Sequence, residues 1–346
     1  MNELRLTAEE FRAELGQIVN HSALVQRVIL RKGFEFVAIR HPANVYDALV
    51  IRNPSPPPRF GENGIYSQHT LNAYVDFINQ YGIEKAKVMS EDISFLTRCP
   101  SLKHLNIIMP RTSAKEFDFS PLYGLEEVCS LFCGINGGDT VGKVSKPDYS
   151  RIQGLEYLSV SSPGNADLRN LPALKTLLIS GSSCRNLQGL FTSPELDTLE
   201  ISFSRIQSLD GIAAAPKMQC LYLVRNRSLA DITALAQVKK ALRALRIQNC
   251  PQITDFSVLE ELENLEYLFL EGSNVLPSIG FIRNLPKLKT LIAEMRIEDG
   301  DLRPCLNLSY AYCGAIRRHY NLKDKELPRG DYFRGNENIE PWRRIW

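Results

Sequence analysis

The stretch LDTLEISFSRIQSLDGIAAAPKMQCLYL, residues 196–223, decides the architecture. It opens on Leu196-x-x-Leu199-x-Ile201, and 22 residues later the spacing returns as Met218-x-x-Leu221-x-Leu223. Upstream the same spacing reads Leu155-x-x-Leu158-x-Val160 and Leu174-x-x-Leu177-x-Ile179. Downstream it reads Leu242-x-x-Leu245-x-Ile247, Leu265-x-x-Leu268-x-Leu270 and Leu288-x-x-Leu291-x-Ala293. First positions from Leu174 onward are 22, 22, 24, 23 and 23 residues apart. Units this short cannot bury an apolar face alone, so a fixed period of this length means stacked coils sharing one core.

Three segments carry a small polar residue or cysteine beyond the strand: Ser204, Asn226 and Cys250. A side chain there points into the turn and bonds backbone groups of adjacent coils. Together these residues resemble the leucine-rich repeat pattern L-x-x-L-x-L-x-x-N/C-x-L, in the short form found in internalins and phosphatase regulatory subunits. The resemblance covers residues 83–313, with weaker units at Ile83-x-x-Ala86-x-Val88, Leu102-x-x-Leu105-x-Ile107 and Leu125-x-x-Val128. It implies an α/β fold, a right-handed leucine-rich repeat solenoid with one curved parallel sheet of about ten short strands. After the strands, aliphatics recur at three-residue spacing (Ile206, Leu209, Ile212; Leu229, Ile232, Leu235), which predicts short helical turns on the convex side.

The flanks lack the repeat. Residues 1–82 read as an α+β N-terminal capping region. It holds a capping box at Thr7–Glu10, a hairpin of 24–31 and 34–40 around Lys32-Gly33, and a strand over Ala48–Arg52. A proline-rich loop follows, then a helix through Leu71, Tyr74, Val75 and Ile78 that stops at Gly82. Residues 314–346 hold eight Lys/Arg, five Asp/Glu and interleaved aromatics including Trp342 and Trp346, an aromatic content that predicts a folded C-terminal cap.

Composition narrows the function. Lys and Arg number 41 against 39 Asp and Glu, a net charge of +2, which gives no reason to expect nucleic acid as partner. No run of 18 apolar residues offers a membrane span, and MNELRLTAEEFRAEL is no secretory signal. The eight cysteines are scattered without C-x-x-C, and the five histidines have no ligand spacing, so neither metal nor other cofactor is expected. These features predict a cytoplasmic, monomeric protein with reduced thiols.

One string has catalytic form. Gly137–Lys143 matches the G-x-x-x-x-G-K phosphate loop. Val144 stands where Mg²⁺ needs a hydroxyl, and Lys146-Pro147 breaks the helix that should follow. An inserted loop is the better reading, because Leu125 and Leu155 are 30 residues apart. A nucleotide-binding enzyme remains a remote alternative.

A surface is left. In L1-x2-x3-L4-x5-L6-x7, residues x3, x5 and x7 face away from the core. The x5 row reads Asn106, Cys129, Ser159, Leu178, Glu200, Tyr222, Arg246, Phe269, Ile292 and Tyr310, with Tyr157, Phe203, Arg225, Tyr267 and Tyr312 as neighbours. Tyr, Phe and Arg are the residues that anchor protein interfaces. The expected partner-binding concave face is therefore Tyr157, Phe203, Tyr222, Arg225, Arg246, Tyr267, Phe269, Tyr310 and Tyr312. The opposing expectation is that these rings pack on one another, or that the C-terminal segment curls over them. The expected function is non-catalytic binding of another protein, as an intracellular inhibitor or immunity-type protein. The alternative is an adaptor or regulatory subunit of a cytosolic enzyme.

Overall fold

The computed structural model describes the backbone of 25–31, 34–39 and 48–52, and residues 72, 75–76, 78–80, 82–89, 92–109, 117–135, 147–161, 167–314 and 317–332. The capping box at Thr7, the Gly137–Lys143 string and both tryptophans lie outside the described residues. The chain forms two compact units, one within residues 1–147 and one beginning at Asp148.

In the first unit, β1 (Val25–Arg31) and β2 (Phe34–Ile39) form the expected antiparallel hairpin, with Val25 opposite Ile39. The parallel ladder starts earlier than the sequence pattern. β3 (Ala48–Arg52) pairs with β4 (Lys85–Met89), β4 with β5 (His104–Met109) and β5 with β6 (Ser130–Ile135). Helical residues around 72–80 put Val75 and Ile78 inside, and Gly82 ends them in the left-handed conformation at φ 57°.

β6 corrects the repeat register. Asn106 lies opposite Phe132, not Cys129, so the coil begins at Val128 and reads Val128-x-x-Leu131-x-Cys133. The cause lies in the end of each convex turn, which buries an apolar residue three before the first repeat leucine. Cys99/Leu102, Ile152/Leu155, Leu262/Leu265 and Leu125/Val128 are all such pairs. Leu125 is the turn residue of its pair. The interval to Leu155 is accordingly 27 residues.

The second unit is a parallel ladder of eight strands: β7 (Tyr157–Ser161), β8 (Thr176–Ser180), β9 (Thr198–Ser202), β10 (Cys220–Val224), β11 (Ala244–Gln248), β12 (Tyr267–Leu276), β13 (Thr290–Ile297) and β14 (Tyr310–Tyr312). Every fourth and sixth repeat residue from Leu158 and Val160 to Leu291 and Ala293 is at most 1% exposed. Side-chain alternation along each strand produces this: one face carries the leucine core, the other the x3 and x5 residues.

The turns are 3₁₀ rather than α, as three-residue spacing requires: Ser94–Arg98, Ser120–Gly124, Thr233–Gln237, Ser257–Glu261, Gly280–Asn284 and Arg303–Asn307. Several are started by an aspartate two residues earlier. Asp92, Asp118, Asp231, Asp255 and Asp301 each accept the backbone N–H of residue i+2, at 2.7–3.1 Å. These bonds hold the carboxyls of Asp118 and Asp255 below the ordinary range, and at Asp231 the Thr233 hydroxyl, donating at 2.7 Å, does so together with the Thr233 N–H.

The post-strand slot behaves as the pattern implies. Asn226 is fully buried; its Nδ2 donates to Ile201 O at 2.7 Å and its Oδ1 accepts Ser204 N–H at 2.9 Å. Ser204 Oγ accepts Ser182 N–H at 2.9 Å, so one small side chain after another links consecutive coils. Asn274 belongs to this set, donating to Cys250 O and Ile253 O. It escaped the pattern because the β12–β13 register shifts between Glu271 and Val275, which moves it one place along.

Candidate protein-binding face

Register places the candidate residues in two rows on the face opposite the leucine core. One row runs Ser159, Leu178, Glu200, Tyr222, Arg246, Phe269, Ile292, Tyr312. The other runs Tyr157, Thr176, Thr198, Cys220, Ala244, Tyr267, Thr290, Tyr310. Tyr310 therefore belongs to the x3 row and not to the expected x5 row, and Tyr312, expected only as a neighbour, takes the x5 place. The reason is again a turn pair: Cys305 is buried at the end of its turn, the coil starts at Leu308, and Leu306 is 49% exposed.

The nine predicted residues fall into three groups. In the first, Tyr222 and Tyr267 form a cluster with Cys220 and Ala244, and Phe269 packs against it. Small residues at 220 and 244 leave shallow ground that the larger neighbours cover. Tyr222 and Tyr267 are thus only 8% and 5% exposed although they stand on the outer face. Burial also pushes the Cys220 thiol up to about 11, so it stays protonated at neutral pH. Tyr157, in the same row at β7, is likewise buried.

Arg246 sits beside this cluster. Its guanidinium carbon lies 4.4 Å from the centroid of the Phe269 ring, on the next strand. Nη2 donates to Gln248 Oε1 at 2.6 Å; Gln248 Nε2 donates to Glu271 Oε2 at 2.7 Å, and Asn249 Nδ2 to Glu271 Oε1 at 3.1 Å. Its Nε is enclosed with no acceptor. One edge of the guanidinium is therefore committed within the protein.

The second group, Phe203 and Arg225, is at the C-terminal end of the strands. Phe203 is 56% exposed, and the Arg225 guanidinium lies 5.4 Å from its ring centroid. Both have positive φ, 51° and 54°, at equivalent places in consecutive coils.

The third group is covered by the chain itself. Beyond residue 316 the backbone returns along β14: Ala311 N–H donates to Pro328 O at 3.0 Å, and Gly330 N–H to Ser309 O at 2.8 Å. Arg329 lies 5.3 Å from the Tyr310 ring and 5.7 Å from the Tyr312 ring. Tyr332 packs edge-on against Tyr310 at 5.0 Å and Tyr267 at 6.4 Å. Burial and a hydrogen bond with Tyr332 push the Tyr267 hydroxyl well above its ordinary pKa. The alternative expectation, that the C-terminal segment curls over the rings, describes this end of the row.

Two outward-facing positions, one in each unit, went unread in the sequence. Phe132, on the x5 row of the first unit, was hidden by the register ambiguity at Leu125. Gln248 joins Arg246 to Glu271, and nothing in its type or spacing signals that role. Among the described residues no group of three or more His, Cys, Asp or Glu is placed to hold a metal ion. No described helix is long and apolar enough to cross a membrane.

No family model and no curated protein matches the chain. Solved structures do. An internalin of Listeria monocytogenes aligns at 17% identity over 84% of this chain and 90% of its own, with TM-score 0.52. A leucine-rich repeat protein of Leptospira interrogans aligns at 19% identity over 70% of this chain and 57% of its own, with TM-score 0.44. The leucine register, the all-parallel repeat ladder within each unit and the first of these likenesses agree: this chain has the leucine-rich repeat solenoid fold.

Proposed function

We propose that this protein is a non-catalytic binding protein that holds another protein on the face opposite its leucine core, the concave face of the repeat, and inhibits it as an immunity-type protein does. The observation that supports this most is the Arg246–Phe269 pair seated on the Tyr222–Tyr267 cluster. Arg and aromatic side chains held in one conformation before docking lose little entropy on binding, and such residues dominate interface energetics. The binding region runs from Glu200 to Phe269 and takes in Phe203 and Arg225. Tyr267, Tyr310 and Tyr312 support its far end through Tyr332 and Arg329.

The proposed compartment is the reducing cytoplasm. All eight cysteines are free, and burial raises the thiols of Cys99, Cys220 and Cys250 to about 11. The test is capture from native lysate with wild-type protein and with Tyr222→Ala/Arg246→Ala as control, followed by assay of the captured protein. A partner absent from the control and silenced when bound supports the inhibitor reading. A partner that stays active when bound marks an adaptor, and capture unaffected by the double substitution moves the site elsewhere.

A further inference from the structure

Positions 8 and 10 of each coil flank the inward-pointing slot residue. In consecutive coils those positions are Phe203 and Arg205 around buried Ser204, and Arg225 and Arg227 around buried Asn226. With the slot residue turned inward, its neighbours turn outward, and all four are exposed. Adjacent coils stand about 4.8 Å apart, so the backbones of these four residues lie side by side on two neighbouring coils, and the Arg225 guanidinium sits over the Phe203 ring.

Their charge is unanswered. Several other basic residues of the ladder meet carboxylates of a neighbouring coil, Lys175 with Glu156, Lys217 with Glu195, Lys239 with Glu261, and Arg243 and Lys289 with Glu266, although among the described residues Arg185 and Lys240 do not. Among the described residues, Arg205, Arg225 and Arg227 have no carboxylate partner. The net charge of +2 is too small to make this a general basic surface, so the excess is local.

The backbone adds a separate observation. Phe203 and Arg225 hold left-handed φ where the preceding coil places Gly181, at φ 72°. The ladder needs that conformation, because the N–H groups of Gly181, Phe203 and Arg225 each reach the next coil, donating to Ser202 O, Val224 O and Gln248 O. Glycine meets this requirement without strain; phenylalanine and arginine meet it with strain. The fold thus retains two large side chains at a site where its own stability favours none.

We propose that this patch is a docking site for an acidic segment of a protein partner, one whose carboxylates flank an apolar side chain. The apolar group lies on Phe203. Arg225, stacked on that ring, presents the edges of its guanidinium to one carboxylate, while Arg205 and Arg227 take the others. This deepens the protein-binding reading above and rests on it for the class of partner, but it concerns different residues from Arg246 and Phe269.

The test uses the full chain and fluorescein-labelled Glu-Glu-Trp-Glu-Glu, with Gln-Gln-Trp-Gln-Gln and Lys-Lys-Trp-Lys-Lys as controls, read by anisotropy. The acidic peptide should bind in preference to both controls, more weakly as salt rises. Arg225→Glu/Arg227→Glu should weaken it about tenfold or more, and Arg225→Gln/Arg227→Gln should repeat the loss in milder form. Phe203→Gly should also weaken it while the melting temperature stays level or rises, a combination that a merely structural residue cannot give. Lys239→Ala, which removes an ammonium already paired with Glu261, should leave peptide binding unchanged, while capture of the whole partner by Arg246→Ala reports on the sheet-face reading separately. No preference for the acidic peptide, equal binding by the charge variants, or a lower melting temperature for Phe203→Gly would overturn the proposal.

Discussion

The guanidinium of Arg246 and the ring of Phe269 face one another across neighbouring parallel strands at 4.4 Å, and their backbones are direct partners in the register. A one-place slip of either strand would turn one side chain into the leucine core, so repeat period and surface pair are one fact. The pair's neighbours set how each substitution should act. Phe269 and Arg246 stand at the surface of the cluster, whereas Tyr222 is largely enclosed.

Alanine scanning of the row should therefore separate. Tyr222→Ala should cost roughly 1–3 kcal/mol of folding stability, because it uncovers Cys220 and Ala244. Arg246→Ala should cost less than about 1 kcal/mol, since its Nη2 bond to Gln248 is partly solvated. Urea unfolding checks both. Equal losses would mean the cluster does not depend on Tyr222.

Asn226 carries the strongest structural expectation. Asn226→Ala strands Ser204 N–H and Ile201 O in the interior, and should destabilise by about 2–4 kcal/mol. A change below roughly 0.5 kcal/mol in chemical denaturation would show that water replaces both bonds.

Alkaline pH should destabilise the protein through its buried thiols. The thiols of Cys99, Cys220 and Cys250 are raised by burial from 9.0 to about 11. Above pH 9 the unfolded chain releases these protons while the folded chain keeps them, so stability falls as pH climbs through that window. Each thiol contributes a slope of about 1.4 kcal/mol per pH unit. Cys250→Ala should flatten the decline by one such share, and an unchanged slope would contradict the assignment.

Repeat register was the most legible feature of the sequence, because leucines at a fixed period have one role. It slipped at β6 and β14, where the turn and the strand each offer an apolar residue three apart, as at Leu125/Val128; it also missed β3, where the ladder begins, and Asn274, one place along at β12. The surface was legible in residue type but not in accessibility. That Tyr222 would lie over Cys220 follows from small residues at 220 and 244, information present in the x3 row but not in the x5 row alone. That Tyr332 would reach Tyr267 and Tyr310 depends on a chain reversal beyond residue 316, which no periodicity announces.

The reversal gives its own expectation. Tyr332→Ala removes two edge-on ring contacts and should lower stability by about 1–2 kcal/mol. It should also bring the Tyr267 hydroxyl down toward its ordinary pKa, a change visible in ultraviolet titration. Titration unchanged from wild type would mean that burial by the sheet face alone holds Tyr267.

The most direct test of protein binding through this face is calorimetric titration of the captured partner with wild type and Arg246→Ala, alongside thermal melting of each. The expected result is a loss of about 1–4 kcal/mol in binding with melting nearly unchanged. Full affinity in the substituted protein, together with a lower melting temperature, would show that Arg246 and Phe269 serve internal packing and that the partner sits elsewhere.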